Sequence, residues 1–327
     1  MKSFTQGHVN ITALRTDSPL EIAHIIEVLE AHMYPGDPPS RGFGGVAMSE
    51  QEIEAGFGVF RASPGPAKTY TQEGQSDVLL TRYLFDRHRF PGAGLPQQLI
   101  EDMEAELVFE LNGIDVLWLA DSNFILLSSH DPVEVQQIIK PAVDEVLQEA
   151  GHDLGSTRPH PRNVPEPDLF LWLLYRLHSN PQLDQSMRLS MIRTMNHQDG
   201  ASQNTRMLDS VAFDRSVLLT AIAEPGSVFG PAKLAVYDAQ LGLSVDFYLD
   251  GEGQVSAHVL KSEYLNEADE GLRRSEFGIR LARDVSTVII PKLLAAHGAD
   301  NGWTPESRQD FVDWARGELN QRIEGMP

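Results

Sequence analysis

Leu243-Ser244-Val245-Asp246-Phe247-Tyr248-Leu249-Asp250-Gly251-Glu252-Gly253 is the stretch from which the fold is read. Leu243, Val245, Phe247 and Leu249 recur at every second position. A period of two sends them to one face of a strand and Ser244, Asp246 and Tyr248 to the other. Asp250 to Gly253 then supplies the turn-forming residues of a hairpin. Val255, Ala257 and Val259 alternate back with Ser256, His258 and Leu260. Upstream, Ala232 to Asp238 is apolar and rich in strand formers. Downstream, Phe277, Ile279 and Leu281 alternate with Gly278, Arg280 and Ala282, which predicts a further strand. Asp284 and Ser286 then read as caps of a helix that ends at His297, with Gly298 as its stop and Pro291 as a kink or first-turn residue. The stretch from Val228 to Gly298 is thus expected to be a strand meander closed by a helix.

Outside it, Val9 to Leu14 predicts a strand, and Ser18-Pro19 opens a helix running to about Met33. Tyr34 to Gly45 reads as a Pro- and Gly-rich loop, and Gly58 to Ala62 and Asp77 to Phe85 read as strands. Pro96 to Glu106 has the pattern of an acidic helix. Val108–Leu111, Asp115–Ala120 and Phe124–Ser128 read as three strands, joined at Asn112-Gly113 and at Asp121 to Asn123. Asp131-Pro132 starts a helix to about Ala150, interrupted at Pro141. Residues 151–166 carry Gly151, Gly155, Pro159, Pro161 and Pro165 and read as a linker. A helix around Trp172, a strand from Met187 to Met195 and a polar loop from Asn196 to Arg206 follow. A last amphipathic helix begins at Thr304-Pro305, with Phe311, Ala315, Leu319 and Ile323 on one side; it should pack on its own domain or, alternatively, meet a second copy. The expected fold class is α+β: antiparallel strand meanders with packed helices in two domains, 1–150 and 167–327.

The run Ala232-Lys233-Leu234-Ala235-Val236, leading to Val245-Asp246-Phe247 and Leu249-Asp250-Gly251, resembles the RdgC family of recombination-associated DNA-binding proteins. The element order agrees: an apolar Trp-bearing segment and the capped segment Asp214 to Leu219 precede that run. Asp115 to Leu119 followed by Ile125 to Leu127 is similar to the family's mid-chain hairpin. Between Arg61 and Glu106 the chain departs from the family, which has a long basic helical segment where this chain is broken by Pro and Gly. The resemblance implies a ring-forming homodimer that encircles duplex DNA and restrains recombinase action.

Composition constrains that implication. The 327 residues carry a net charge of −21. Residues 1–150 hold 9 Lys/Arg against 23 Asp/Glu, a balance of −14, and the remaining 177 hold 17 against 24, a balance of −7. Such a chain repels phosphate unless its cations are gathered on one surface. In the first half the candidates are Arg82, Arg87 and Arg89, interleaved with Tyr83, Phe85 and Phe90. In the second half they are Arg188, Arg193, Lys233 and Lys261. Simple alternation puts Arg188 and Arg193 on opposite faces of their strand, so one at most should line a shared surface. The other function class is an acidic protein-interaction module, an adaptor or inhibitor of a basic partner, with no nucleic acid bound.

Chemistry-bearing motifs fail on inspection. The absence of cysteine excludes disulfides, thiolate catalysis and Cys-ligated metals. Gly42-Phe43-Gly44-Gly45-Val46-Ala47 matches a dinucleotide fingerprint in letters, but prolines occupy the place of the strand it requires. Ser63 to Thr69 has Ala67 where a phosphate loop needs Gly. The tetrapeptide Gly-Pro-Ala-Lys at 65–68 recurs at 230–233, each time before an apolar strand. His24 and His32 share a helix but lack a third ligand, and so read as surface or core histidines. Asp250 and Glu252 read as turn residues rather than metal ligands. His197 and Asp199 lack a nucleophile to serve. The chain reads as a non-enzyme without cofactor or metal. The N-terminus lacks the apolar core of a signal peptide and no apolar run is long enough for a bilayer, so the expectation is a cytoplasmic protein with no membrane partner.

Overall fold

The computed structural model describes residues 4, 7–36, 39–44, 68–70, 78–89, 108–120, 123–154, 166, 168–198, 204–207, 211, 213, 215–265 and 274–324. The fold is α+β, with antiparallel sheets and packed helices. The chain divides into two compact units, Met1–His160 with Arg273–Ala282, and Pro161–Leu272 with Arg283–Pro327. Arg273–Ala282, which the sequence places with the C-terminal half, therefore groups with the first unit. Most of the expected linker, the expected strand at 58–62 and the expected helix at 96–106 lie outside the described residues. Among the described residues no helix is long and apolar enough to cross a membrane.

In the first unit β1 (His8–Arg15), α1 (Ile22–Leu29), β2 (Arg41–Gly44), β3 (Lys68–Tyr70), β4 (Val78–His88), β5 (Phe109–Leu119) and β6 (Phe124–Leu127) precede α2 (Lys140–Glu149). The strand order is β2-β4-β5-β6-β1, with β3 on the same edge of β4 as β2. Tyr34–Gly45 is thus not all loop, because Arg41 to Gly44 pairs with Phe85 to Arg82. Nor does Asn112-Gly113 turn the chain. Asn112 lies opposite Phe85 and Gly113 opposite Leu84 within a ladder that runs the whole length of β4. The reason is steric as well as cooperative: a Cβ at Gly113 would stand 3.0 Å from Cδ of Arg82, so glycine there makes room for a buried arginine. Leu79, Tyr83, Phe85, Val116, Trp118, Ile125 and Leu127 form one face, which packs on Ile25 and Leu29 of α1 and Val143, Val146 and Leu147 of α2. Each such side chain, fully buried, contributes about 1.5–3 kcal/mol.

The second unit holds α3 (Leu169–Ser179), β7 (Met187–Gln198), β8 (Asn204–Met207), α4 (Ser216–Ala223), β9 (Val228–Asp238), β10 (Leu243–Leu249), β11 (Val255–His258) and β12 (Glu263–Tyr264). Its strand order is β11-β10-β9-β7-β8, with β12 also on β10. The meander agrees with the alternation: Leu243, Val245, Phe247 and Leu249 are all buried. The Asp250 carboxylate accepts the N–H groups of Glu252 and Gln254 at 2.9 and 2.7 Å, which closes the turn. Within the expected polar loop at 196–206, residues 196–198 extend β7 and pair with 204–206 of β8, while 199–203 lie outside the described residues.

The chain ends in α5 (Arg274–Asp284), α6 (Ile290–Ala299) and α7 (Pro305–Glu324). Phe277–Leu281 is helical, not a strand. Gly278 through Ala282 are all buried, and a helix buried on nearly every side shows no clean 3.6-residue period to read. Asp284 and Ser286 cap nothing; both are buried inside a continuous helix, where Asp284 accepts the Tyr264 hydroxyl at 2.7 Å. Pro141 and Pro291 likewise do not break their helices. A π-helical turn precedes each (Glu134–Ile139 and Val285–Ile289), and the residue before each proline donates five residues back, Lys140 to Val135 and Ile290 to Val285. The widened turn accommodates a ring that would clash with an α-helical carbonyl. Thr304 caps α7 through the Ser307 N–H, and Phe311 and Ala315 are buried as the helix packs on α4, while Ile323 is 66% exposed.

Candidate nucleic-acid interface

The site follows from which residues of the second unit's sheet face away from its core. On β10 the buried set leaves Ser244, Asp246 and Tyr248 on the opposite face. On β9, Ala232, Leu234 and Val236 are fully buried, and Lys233 and Tyr237 alternate outward with them. Lys233 lies opposite Tyr248, and Tyr237 opposite Ser244. The sheet thus presents two tyrosines and a lysine in adjacent rows.

Strand β7 adds the arginines, in a way that alternation does not foresee. Arg188, opposite Tyr237, points outward between buried Met187 and Leu189. The ladder to β9 then shifts register between Leu189 and Met191, and again between Ile192 and Thr194. Each shift leaves one extra residue on β7, a bulge that re-aims the side chains beyond it. Ile192 and Met195 stay buried, and Arg193 reaches the outward face, where Nε and Nη2 grip Asp246 at 2.5 and 3.2 Å. Arg188 and Arg193 therefore share a face, contrary to the expectation that they oppose one another.

Lys261 sits in the 3-10 turn after β11, near enough for its charge to act on Lys233. Partial burial, together with the charges of Lys261 and Arg193, holds the Lys233 pKa below the usual lysine value, against the pull of Asp246. Burial is the largest of these causes, and the two neighbouring cations add to it. Asp246 and, opposite Ser244, Glu263 are the carboxylates that strand register brings to the same face.

No known protein family and no curated protein matches the chain.

The three first-half candidates do not form a second patch. Arg82 is buried and bound to Asp115, with Nε and Nη2 at 2.7 and 2.6 Å from Oδ1, so it is no phosphate ligand. Arg87, on the other face of β4, donates to the buried Glu134 carboxylate at 3.3 Å and lies 5.9 Å from the Phe85 ring centroid. Arg89 is exposed, with Nε donating to the Phe109 carbonyl at 3.1 Å. Closeness in sequence conceals the separation of Arg82 from the other two, since even and odd positions of a strand point apart. His197 is buried, its Nε2 2.9 Å from Ser227 Oγ; Asp199 lies outside the described residues.

Proposed function

We propose that the second unit binds nucleic acid without sequence preference, through phosphate contacts to the outward face of β7, β9 and β10. The observation that carries this is the register shift between Leu189 and Met191 in β7, which brings Arg193 to the face it shares with Arg188 and Lys233, close to Lys233. Lysine and arginine on a sheet face read phosphate rather than bases, and Tyr237 and Tyr248 add flat surfaces for sugar or base. Because the whole chain is at −21, the rest of the surface repels the polymer and confines it to this patch. Four phosphate contacts give a slope of log affinity against log salt of about −3.6. Duplex DNA bound by a homodimer is the form that the RdgC resemblance implies, and two copies of the face would double that slope.

Gel shifts with two unrelated random duplexes at low and moderate salt, alongside a mass measurement in solution, test the reading. Equal shifts that fade with salt, from a dimeric species, are expected. A strict monomer that shifts neither duplex at low salt would end it.

The burial of Arg82 and the pairing of Arg87 with Glu134 favour a second reading for the first unit. With those cations withdrawn, its acidic balance suits a basic protein partner, bound through contacts that weaken with salt. Capture of a basic protein at low salt, lost at high salt and unaffected by nuclease, would distinguish this from nucleic-acid bridging.

A further inference from the structure

His32 ends the 3-10 turn (Glu30–His32) that follows α1, and Glu145 and Glu149 lie one turn apart on α2. Spacing of i and i+4 puts both carboxylates on the same side of the helix, facing the imidazole. One ligand atom from each of the three residues comes within 4.8 Å of the others. The His32 side chain is only 18% exposed and its Nε2 stands 3.1 Å from Glu149 Oε2. Yet that nitrogen is buried and makes no hydrogen bond.

We propose that His32, Glu145 and Glu149 form a binding site for a divalent transition metal, with zinc the best match. Two donors held about 2.0–2.1 Å from one tetrahedral ion stand about 3.3 Å apart, with neither aimed at the other. That is the relation of His32 Nε2 to Glu149: close, yet without a hydrogen bond. An imidazole with two carboxylates suits zinc and its neighbours, whereas magnesium and calcium take oxygen ligands. The glutamates are exposed and admit the ion from solvent, and three protein ligands leave a position for water. The ion would tie the end of α1 to α2, two helices that pack on the same core. In sequence His32 lacks a third ligand; the fold brings two carboxylates from far along the chain.

The test is calorimetric titration of the full, tag-free chain, stripped with chelator, with zinc chloride near neutral pH, alongside melting curves with and without zinc. One saturable site and a rise in melting temperature are expected. Glu145→Gln/Glu149→Gln, confined to exposed side chains, should weaken zinc at least tenfold and abolish the rise while leaving the metal-free melting temperature in place. His32→Gln should do the same to binding. Magnesium should give neither signal. Failure of the wild-type chain to bind zinc, or equal binding by the wild type and the double glutamine variant, overturns the proposal.

Discussion

The Arg82 guanidinium lies 2.6 Å from the Asp115 carboxylate, directly across the β4–β5 ladder, with side-chain exposures of 5% and 0%. Asp115 also accepts the Phe4 N–H at 3.2 Å, so the pair links the N-terminus to the sheet. Arg82→Ala would leave a carboxylate buried without its cation, which costs about 3–5 kcal/mol. Arg89→Ala, at an exposed position, should cost no more than about 1 kcal/mol. Urea denaturation of the two single variants distinguishes them; equal midpoints would show that Arg82 is not structural.

Gly278 packs against the backbone of Phe4. A Cβ there would fall 2.0 Å from the Phe4 carbonyl oxygen, and backbone cannot rotate aside as a side chain can. Gly278→Ala should therefore destabilise the chain by about 1–3 kcal/mol and speed cleavage near the N-terminus by protease. A Cβ added at Gly317, within α7, would meet no atom within 4 Å. Gly317→Ala should stabilise by up to about 1 kcal/mol. Opposite signs in thermal melts are the expected result.

Asp238 is fully buried, and burial alone would raise its pKa. Lys292 Nζ at 2.7 Å and the N–H groups of Leu241 and Gln240, at 3.0 Å each, outweigh that and hold it below the ordinary aspartate value of 3.8. A carboxyl whose folded pKa is depressed contributes stability that is full above 3.8 and lost as pH falls through the folded value. Lys292→Met removes the cation, and burial then dominates and raises the pKa. The wild-type chain should thus lose stability on acidification below pH 3.8, and the variant, weaker near neutrality, should lose less over that range. Urea midpoints measured against pH check the sign.

The α+β class and the meander were legible because β10 has one buried and one outward face, and its residues alternate accordingly. Other features are set by partners remote in sequence. Asn112-Gly113 has the local chemistry of a turn, but β4 pairs straight through it and Arg82 needs the space above Gly113. Phe277 to Leu281 alternates by accident within a helix buried nearly all round. The prolines of two helices read as breaks, yet a π turn ahead of each absorbs the ring. The candidate face was legible as a set of residue types and not as an arrangement. Arg188 and Arg193 share a face through a bulge fixed by pairing with β9, and local alternation carries no trace of it.

If Arg188, Lys233 and Lys261 are phosphate ligands on one face, the salt dependence of duplex binding reports them most directly. It is followed by fluorescence anisotropy between about 50 and 200 mM salt. Arg188→Ala/Lys233→Ala/Lys261→Ala spares Arg193, whose loss would strand the buried Asp246, and so tests the face without disturbing the fold. The variant should keep the wild-type melting temperature while the slope of log affinity against log salt becomes shallower by about 2.7 per copy. An unchanged slope and affinity in a folded variant would contradict phosphate binding at this face.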